Sequence, residues 1–282
     1  MYHNMQCNPA GSSCPSYIGV TCKDFTGFCL NLTWKGPIRG NEDTMLDAVI
    51  LIIAAFAAGL LSGTVGFGGS MILLPAMTSC YGIEVAVPMS TIAQLLSNLF
   101  RVGAGFRCIR WRKAAFFLIL AAPLTLLGAY WFVVVPKELM TRILCLLLIV
   151  FAFLDMTQKL KLPRSRWTML AGGGISGIIN GLLSLSGPIS SAVFLTLGLA
   201  PVAYIATEAA AATVMHIIQL AAYGGFGLIS KDIIFEGVYT GAAMILGNWI
   251  AIRRIKTVKR KIYRRSVAIV MIICSIWLFM SV

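Results

Sequence analysis

The chain has 282 residues, of which 59% are hydrophobic and 12% charged, and its mean hydropathy is +0.87. A soluble domain carries about a quarter charged residues, so most of this chain meets lipid rather than water on its outside. The formal charge of +13 does not signal nucleic acid, because the basic residues sit in short clusters between apolar runs, the pattern by which membrane proteins encode orientation.

Residues 1–44 are polar and lack the basic start and apolar core of a cleavable signal. They carry Cys7, Cys14, Cys22 and Cys29. An even set of cysteines in a short polar tail suits one or two disulfides in an oxidising compartment. A zinc site is the rival, weakened by the absence of a CxxC pair and by His3 being the only nearby histidine. Asn31-Leu32-Thr33 is a glycosylation triplet.

Apolar segments follow at roughly 45–62, 70–80, 88–106, 114–134, 138–156, 167–182, 188–199, 202–223, 232–252 and 266–282. A spanning helix needs about 20 apolar residues, and six of the segments come close to or reach that length. Two units differ: 45–62 with 70–80, and 167–182 with 188–199, each a helix-sized piece, a glycine-rich break and a piece too short to span. The short pieces read as half-helices or re-entrant segments. AGLLSGTVGFGGS at 58–70 resembles SGIINGLLSLSGP at 176–188, with Gly59, Gly63 and Gly69 falling on Gly177, Gly181 and Gly187, and Ser62 on Asn180. We read a polar tail over 1–44 and a duplication, repeat one over 45–160 and repeat two over 161–282.

Three loops, 107–113, 159–166 and 253–265, hold 16 of the 23 Lys and Arg and are expected in the cytoplasm. The loop in repeat two that corresponds to 107–113 is the weakly charged GGFGLISKD around 225–232. Equivalent loops then face opposite sides, so the repeats are inverted, a common transporter architecture. The expected fold is all-α: a polytopic membrane protein of two inverted repeats, each with a broken or re-entrant helix pair. Both termini are expected outside the cytoplasm, with the chain in the cell (plasma or inner) membrane.

The stretch GLLSGTVGFGGSMILLP at 59–75, its partner GIINGLLSLSGP at 177–188 and the duplicated layout resemble the TauE/SafE family of sulfite and organosulfonate exporters, the toluene sulfonate uptake permeases. The resemblance covers nearly the whole chain after residue 44. Its second motif departs from the family pattern, with Leu185, Ser186 and Gly187-Pro188 in place of a glycine run. The resemblance implies transport of sulfur-containing anions such as sulfite, thiosulfate, sulfoacetate or related sulfonates.

The residues themselves support an anion. Backbone breaks at membrane depth are tolerated only where protein or a water-filled cavity covers them, and two breaks in inverted halves would meet near the midplane. Gly66, Gly68 and Gly69 allow positive φ and close approach to a ligand. Half-helices starting near Ser70 and Pro188 would aim N–H groups and positive dipole ends at the gap. Thr64, Ser70, Ser184, Ser186, Ser190 and Ser191 add hydroxyls, each of which alone also has a helix-packing reading. Gln94, Asn98 and Arg101 share a helix face. Arg101 either neutralises the anion or snorkels to the cytoplasmic surface. Glu208 and His216 are candidates for a coupling proton, against a bland reading as a helix-terminal carboxylate and a hydrogen-bonded core histidine.

These readings add up to a transporter of a small anion, and the resemblance implies that the anion contains sulfur and is exported. An anion channel and a non-transporting membrane receptor are the alternatives. The expected partners are the anion, a proton or another coupling ion, and the bilayer, with no nucleic acid. No HExxH, no GxSxG and no intramembrane Asp pair is present, so neither catalysis nor a cofactor or metal is expected.

Overall fold

The computed structural model describes residues 41–157 and 163–254. Cys7, Cys14, Cys22, Cys29 and the last apolar run lie outside the described residues. Nine α-helices and one short 3-10 turn form the described part: α1 (Asn41–Val65), α2 (Gly69–Tyr81), α3 (Ile83–Gly105), the turn Phe106–Cys108, α4 (Trp111–Val134), α5 (Lys137–Thr157), α6 (Arg166–Leu183), α7 (Gly187–Leu195), α8 (Pro201–Gly225) and α9 (Lys231–Arg254). No strand occurs among the described residues. Helix α1 opens at Asn41, ahead of the boundary expected at 45, because an apolar run marks only the lipid-facing part of a helix that continues into polar residues.

Among the described residues, four stretches are long and apolar enough to cross a bilayer: Ile83–Cys108, Trp111–Val134, Pro201–Gly225 and Lys231–Arg253. The chain is a multi-pass membrane protein. The first and third are 67% buried, whereas Trp111–Val134 is 33% buried. Helices α3 and α8 are therefore central and α4 is peripheral, presenting Ile119, Leu126 and Tyr130 outward. At 13 and 9 residues, α2 and α7 are about 20 and 14 Å long at 1.5 Å per residue, well short of a hydrocarbon core of about 30 Å.

The packing pairs helices that stand at equivalent places along the two halves of the sequence. Helix α1 packs on α9, and its counterpart α6 packs on α4, the counterpart of α9. Helix α3 packs on α9 and α8 on α4, while α3 and α8 pack on each other. The first and second halves of the described chain thus interlock, each lending its first helix to the other's outer helix.

Small residues make that exchange possible. Lipid tails are as apolar as Leu, so helices associate in membranes through close backbone contact. On α6, Gly173, Gly177 and Gly181 recur every fourth residue, and a Cβ there would stand 2.4 Å from Phe117 O, 2.4 Å from Ala121 O and 2.1 Å from Thr125 O. On α1, Gly59 and Gly63 do the same against α9, where a Cβ on Gly59 would stand 2.2 Å from Met244 O. A polar bridge reinforces this side: Ser62 Oγ donates to Asn248 Oδ1 at 2.9 Å, and Asn248 Nδ2 donates to Ser97 Oγ at 2.8 Å.

Gly177→Leu is expected to separate α4 from α6, with a loss of about 3 kcal/mol or more from overpacking. Gly103→Ala, at a helical site where an added Cβ meets nothing within 4 Å, is expected to be neutral or stabilising by up to about 1 kcal/mol. Size-exclusion profiles and thermal unfolding of the detergent-purified variants check the contrast.

Candidate functional site

Each broken helix ends in the same local geometry. Gly66 N–H donates to Ser62 O at 2.9 Å, and Ser184 N–H donates to Asn180 O at 2.7 Å. Both residues then leave the helix with positive φ, +89° at Gly66 and +56° at Ser184. Gly68 follows at +95° and α2 starts at Gly69. Ser184 is the only non-glycine with positive φ among the described residues, a conformation that costs an L residue about 1–2 kcal/mol. Its side chain is held in compensation: Thr91 Oγ1 lies 2.5 Å from Ser184 Oγ, and Gln219 Nε2 donates to it at 3.0 Å.

The two breaks touch. A Cβ placed on Gly187 would lie 3.2 Å from Phe67 Cβ and 3.3 Å from Gly68 N. Gly69 approaches Ala58 O and Ser62, so α2 folds back along the last turns of α1. Glycine at 69 thus serves closeness, while positive φ is required at 66 and 68.

A polar residue of the central helix clamps each break. Arg101 on α3 donates through Nη1 to Gly66 O at 2.6 Å and lies 3.5 Å from Ser62 O. Gln219, at the corresponding place on α8, donates through Nε2 to Ser184 Oγ and, at 3.3 Å, to Gly181 O. Tyr223 Oη donates to the same Gly181 O at 2.8 Å. Arg101 also pairs with Asn98 Oδ1 and with Glu208 Oε2, the latter at 3.2 Å. At 4% exposure, Arg101 does not snorkel to the surface. The inward alternative is the one the fold adopts, because a buried carboxylate waits for it on α8.

Between the breaks lies a cavity walled by Ser62 of α1, Phe67 and Gly68 of the first break, Gly69 and Ser70 of α2, and Ser186 and Gly187 at the start of α7. Helix α3 adds Gln94, Asn98 and Arg101, and α8 adds Glu208, Ala212 and His216. Its water-sized free volume is about 10 Å³, room for about one water molecule. The starts of α2 and α7 both face it, and the first N–H groups of a helix have no acceptor within the helix. Gln94 Nε2 and Arg101 Nε are buried donors without a partner. Unpaired buried donors are rare and call for an explanation; here both belong to residues lining the cavity.

Of the residues singled out in the sequence, Gly68, Gly69, Ser70, Gln94, Asn98, Arg101, Ser186, Gly187, Glu208 and His216 line this cavity. Gly66 and Ser184 lie behind it as the clamped bends. Thr64 is turned into its own helix, bonded to Leu60 O at 2.9 Å and Leu61 O at 3.1 Å. Ser190 stands behind Glu208, its hydroxyl 3.0 Å from Oε1. Glu208 and His216 do not pair with each other: the carboxylate goes to Arg101, while His216 Nδ1 lies 3.4 Å from Gln219 Oε1. Sequence reasoning missed Phe67, Ala212 and the structural role of Asn248. Asn248 had a signal, a lone amide in the apolar run of α9; Phe67 and Ala212 had none, being ordinary apolar residues placed by their neighbours.

Removing one partner of a buried ion pair leaves an uncompensated charge, worth about 3–5 kcal/mol. Arg101→Gln alone is expected to lower thermal stability by that order at pH 8, and Arg101→Gln with Glu208→Gln by clearly less. A double-mutant cycle from unfolding midpoints measures the coupling.

Residues 51–278 match the model of the family described as Sulfite exporter TauE/SafE. Neither curated proteins nor solved structures yield a match. With a helical membrane fold, a polar cavity between its two breaks and a family match over most of its length, the chain belongs to the sulfite exporter TauE/SafE family.

Proposed function

We propose that the protein carries a small sulfur-containing anion, such as sulfite or an organosulfonate, across the cell membrane in the exporting direction, and binds it in the cavity between the two breaks. The observation that carries this reading is the composition of the wall. Two helix starts line one hollow together with Gln94 and Arg101, whose Nε2 and Nε atoms have no hydrogen-bond partner. A guest for such a wall must accept hydrogen bonds on several sides and favour positive dipole ends. The three oxygens of a sulfite or sulfonate meet both requirements. The family supplies the sulfur-anion class; the wall supplies the charge sign.

The small free volume supports a carrier over an open pore. A hollow with room for about one water must widen to accept a sulfonate, so binding and release require the walls to move. The interlocked packing suggests the motion: the two repeats rock about the α3–α8 contact, exposing the breaks to one side and then the other. In this reading the repeats are inverted, the basic loops 107–113, 159–166 and 253–265 lie in the cytoplasm, and both termini lie outside.

Purified protein in vesicles is expected to exchange radiolabelled sulfite, or an organosulfonate from a panel, in a saturable manner that unlabelled anion on the far side accelerates. Conductance steps without counterflow would make it a channel, and binding without flux would make it a receptor. Gly187→Ala, which pushes a methyl group against Phe67 and the Gly68 amide, is expected to lower exchange at least tenfold while the protein still inserts and purifies as a folded chain. Normal exchange by that variant would remove the contact between the breaks from the account.

A further inference from the structure

Arg101 and Glu208 form an ion pair at 3.2 Å with 4% and 1% of their side chains exposed, and both residues line the cavity. The cation expected to attract the anion is thus already neutralised by a carboxylate. The fixed charges on the wall sum to zero, so an entering anion would leave one net negative charge buried with no counter-ion. Uncompensated buried charge is strongly unfavourable, and a second anion beside Glu208 would compete with it for the same guanidinium.

We propose that Glu208 takes up one proton from solution when the anion binds, converting its carboxylate to a carboxylic acid and releasing Arg101 Nη1 to an anion oxygen. The inference rests on the reading of the cavity as the anion site. Charge balance then holds for a singly charged anion, a sulfonate or hydrogen sulfite: one anion and one proton join a wall that was neutral and remains neutral. Other contacts prepare both states. Ser190 Oγ, 3.0 Å from Glu208 Oε1, can donate to a carboxylate or accept from an acid. Arg101 keeps Gly66 O and Asn98 Oδ1 as anchors when the ion pair opens.

The surroundings leave few rivals for the proton. From α3 only Arg101 faces Glu208, and α7 contributes no titratable side chain. Helices α4 and α6 bring none into the cavity; Arg112, Lys113 and Arg166 at their starts are exposed. Arg107 and Cys108 of the 3-10 turn are exposed, and Arg110 approaches α8 through its backbone N–H, 3.0 Å from Thr207 Oγ1. On α8 itself, Tyr204 packs against Gly66, and His216 is the other titratable group on the wall. The corresponding position to Glu208 in repeat one is Ser90, whose hydroxyl donates to Val87 O at 2.9 Å, so the device exists once. Anion and proton carried together move in the same direction.

Binding of sulfite and of methanesulfonate, whose single charge does not titrate in the working range, to detergent-purified protein tests the idea between pH 5 and 8. For methanesulfonate, proton uptake of about one per anion is expected in weakly buffered solution, with affinity falling about tenfold per pH unit at the alkaline end. The infrared difference spectrum of the wild type is expected to gain a protonated-carboxyl band on binding, which needs no variant to fold. Glu208→Gln is expected to bind without uptake and without that band; Glu236→Gln, at a carboxylate of α9 outside the cavity, is expected to keep both. Anion binding with no carboxyl band, or undiminished uptake in Glu208→Gln, overturns the proton assignment alone. Failure of both anions to bind the wild type at any pH overturns the anion site and this inference with it.

Discussion

A helix interrupted inside lipid exposes two kinds of backbone group that no water can satisfy: carbonyls where the first piece ends and amides where the second begins. This structure treats them differently. The carbonyl ends of α1 and α6 are taken up by protein, through Arg101 on Gly66 O and through Gln219 and Tyr223 on Gly181 O. The starts of α2 and α7 line the cavity.

The arrangement occurs at both breaks, and the charge is concentrated at one of them. Arg101 corresponds to Gln219, Asn98 to His216, and Glu208 to Ser90. The geometry of the clamp survives in both halves because Arg and Gln are each long enough to reach back to the preceding break. Only the first half keeps a cation there, and the second half answers with the carboxylate. The ion pair joining them runs across the α3–α8 contact at the centre of the bundle.

Much of this was legible in the sequence because lipid imposes strong rules. The two breaks were visible as glycine-rich interruptions of apolar runs, and the starts expected near Ser70 and Pro188 lie one residue earlier at Gly69 and Gly187. The cavity face of α3 was readable because Gln94, Asn98 and Arg101 recur at helical spacing. The direction of Arg101 was not readable: it depends on Glu208, 107 residues away, and local spacing gives no hint of that meeting. Thr64 stands outside the cavity lining for the opposite reason. Its hydroxyl finds Leu60 O and Leu61 O within its own helix, a local alternative open to any buried threonine. The glycine rows of α1 and α6 were seen as markers of the breaks, yet most of them exist to let α9 and α4 approach.

The central claim is that a negatively charged guest sits between the amide ends of the two half-helices. Selenite has the shape and charge of sulfite, and its selenium can be located by anomalous scattering in a crystal of the full-length protein. The account predicts a selenium peak within hydrogen-bonding reach of the Gly68–Ser70 segment, Ser186–Gly187 and Arg101. A selenium peak only elsewhere, with those three elements bonded to one another across a closed gap, would contradict it.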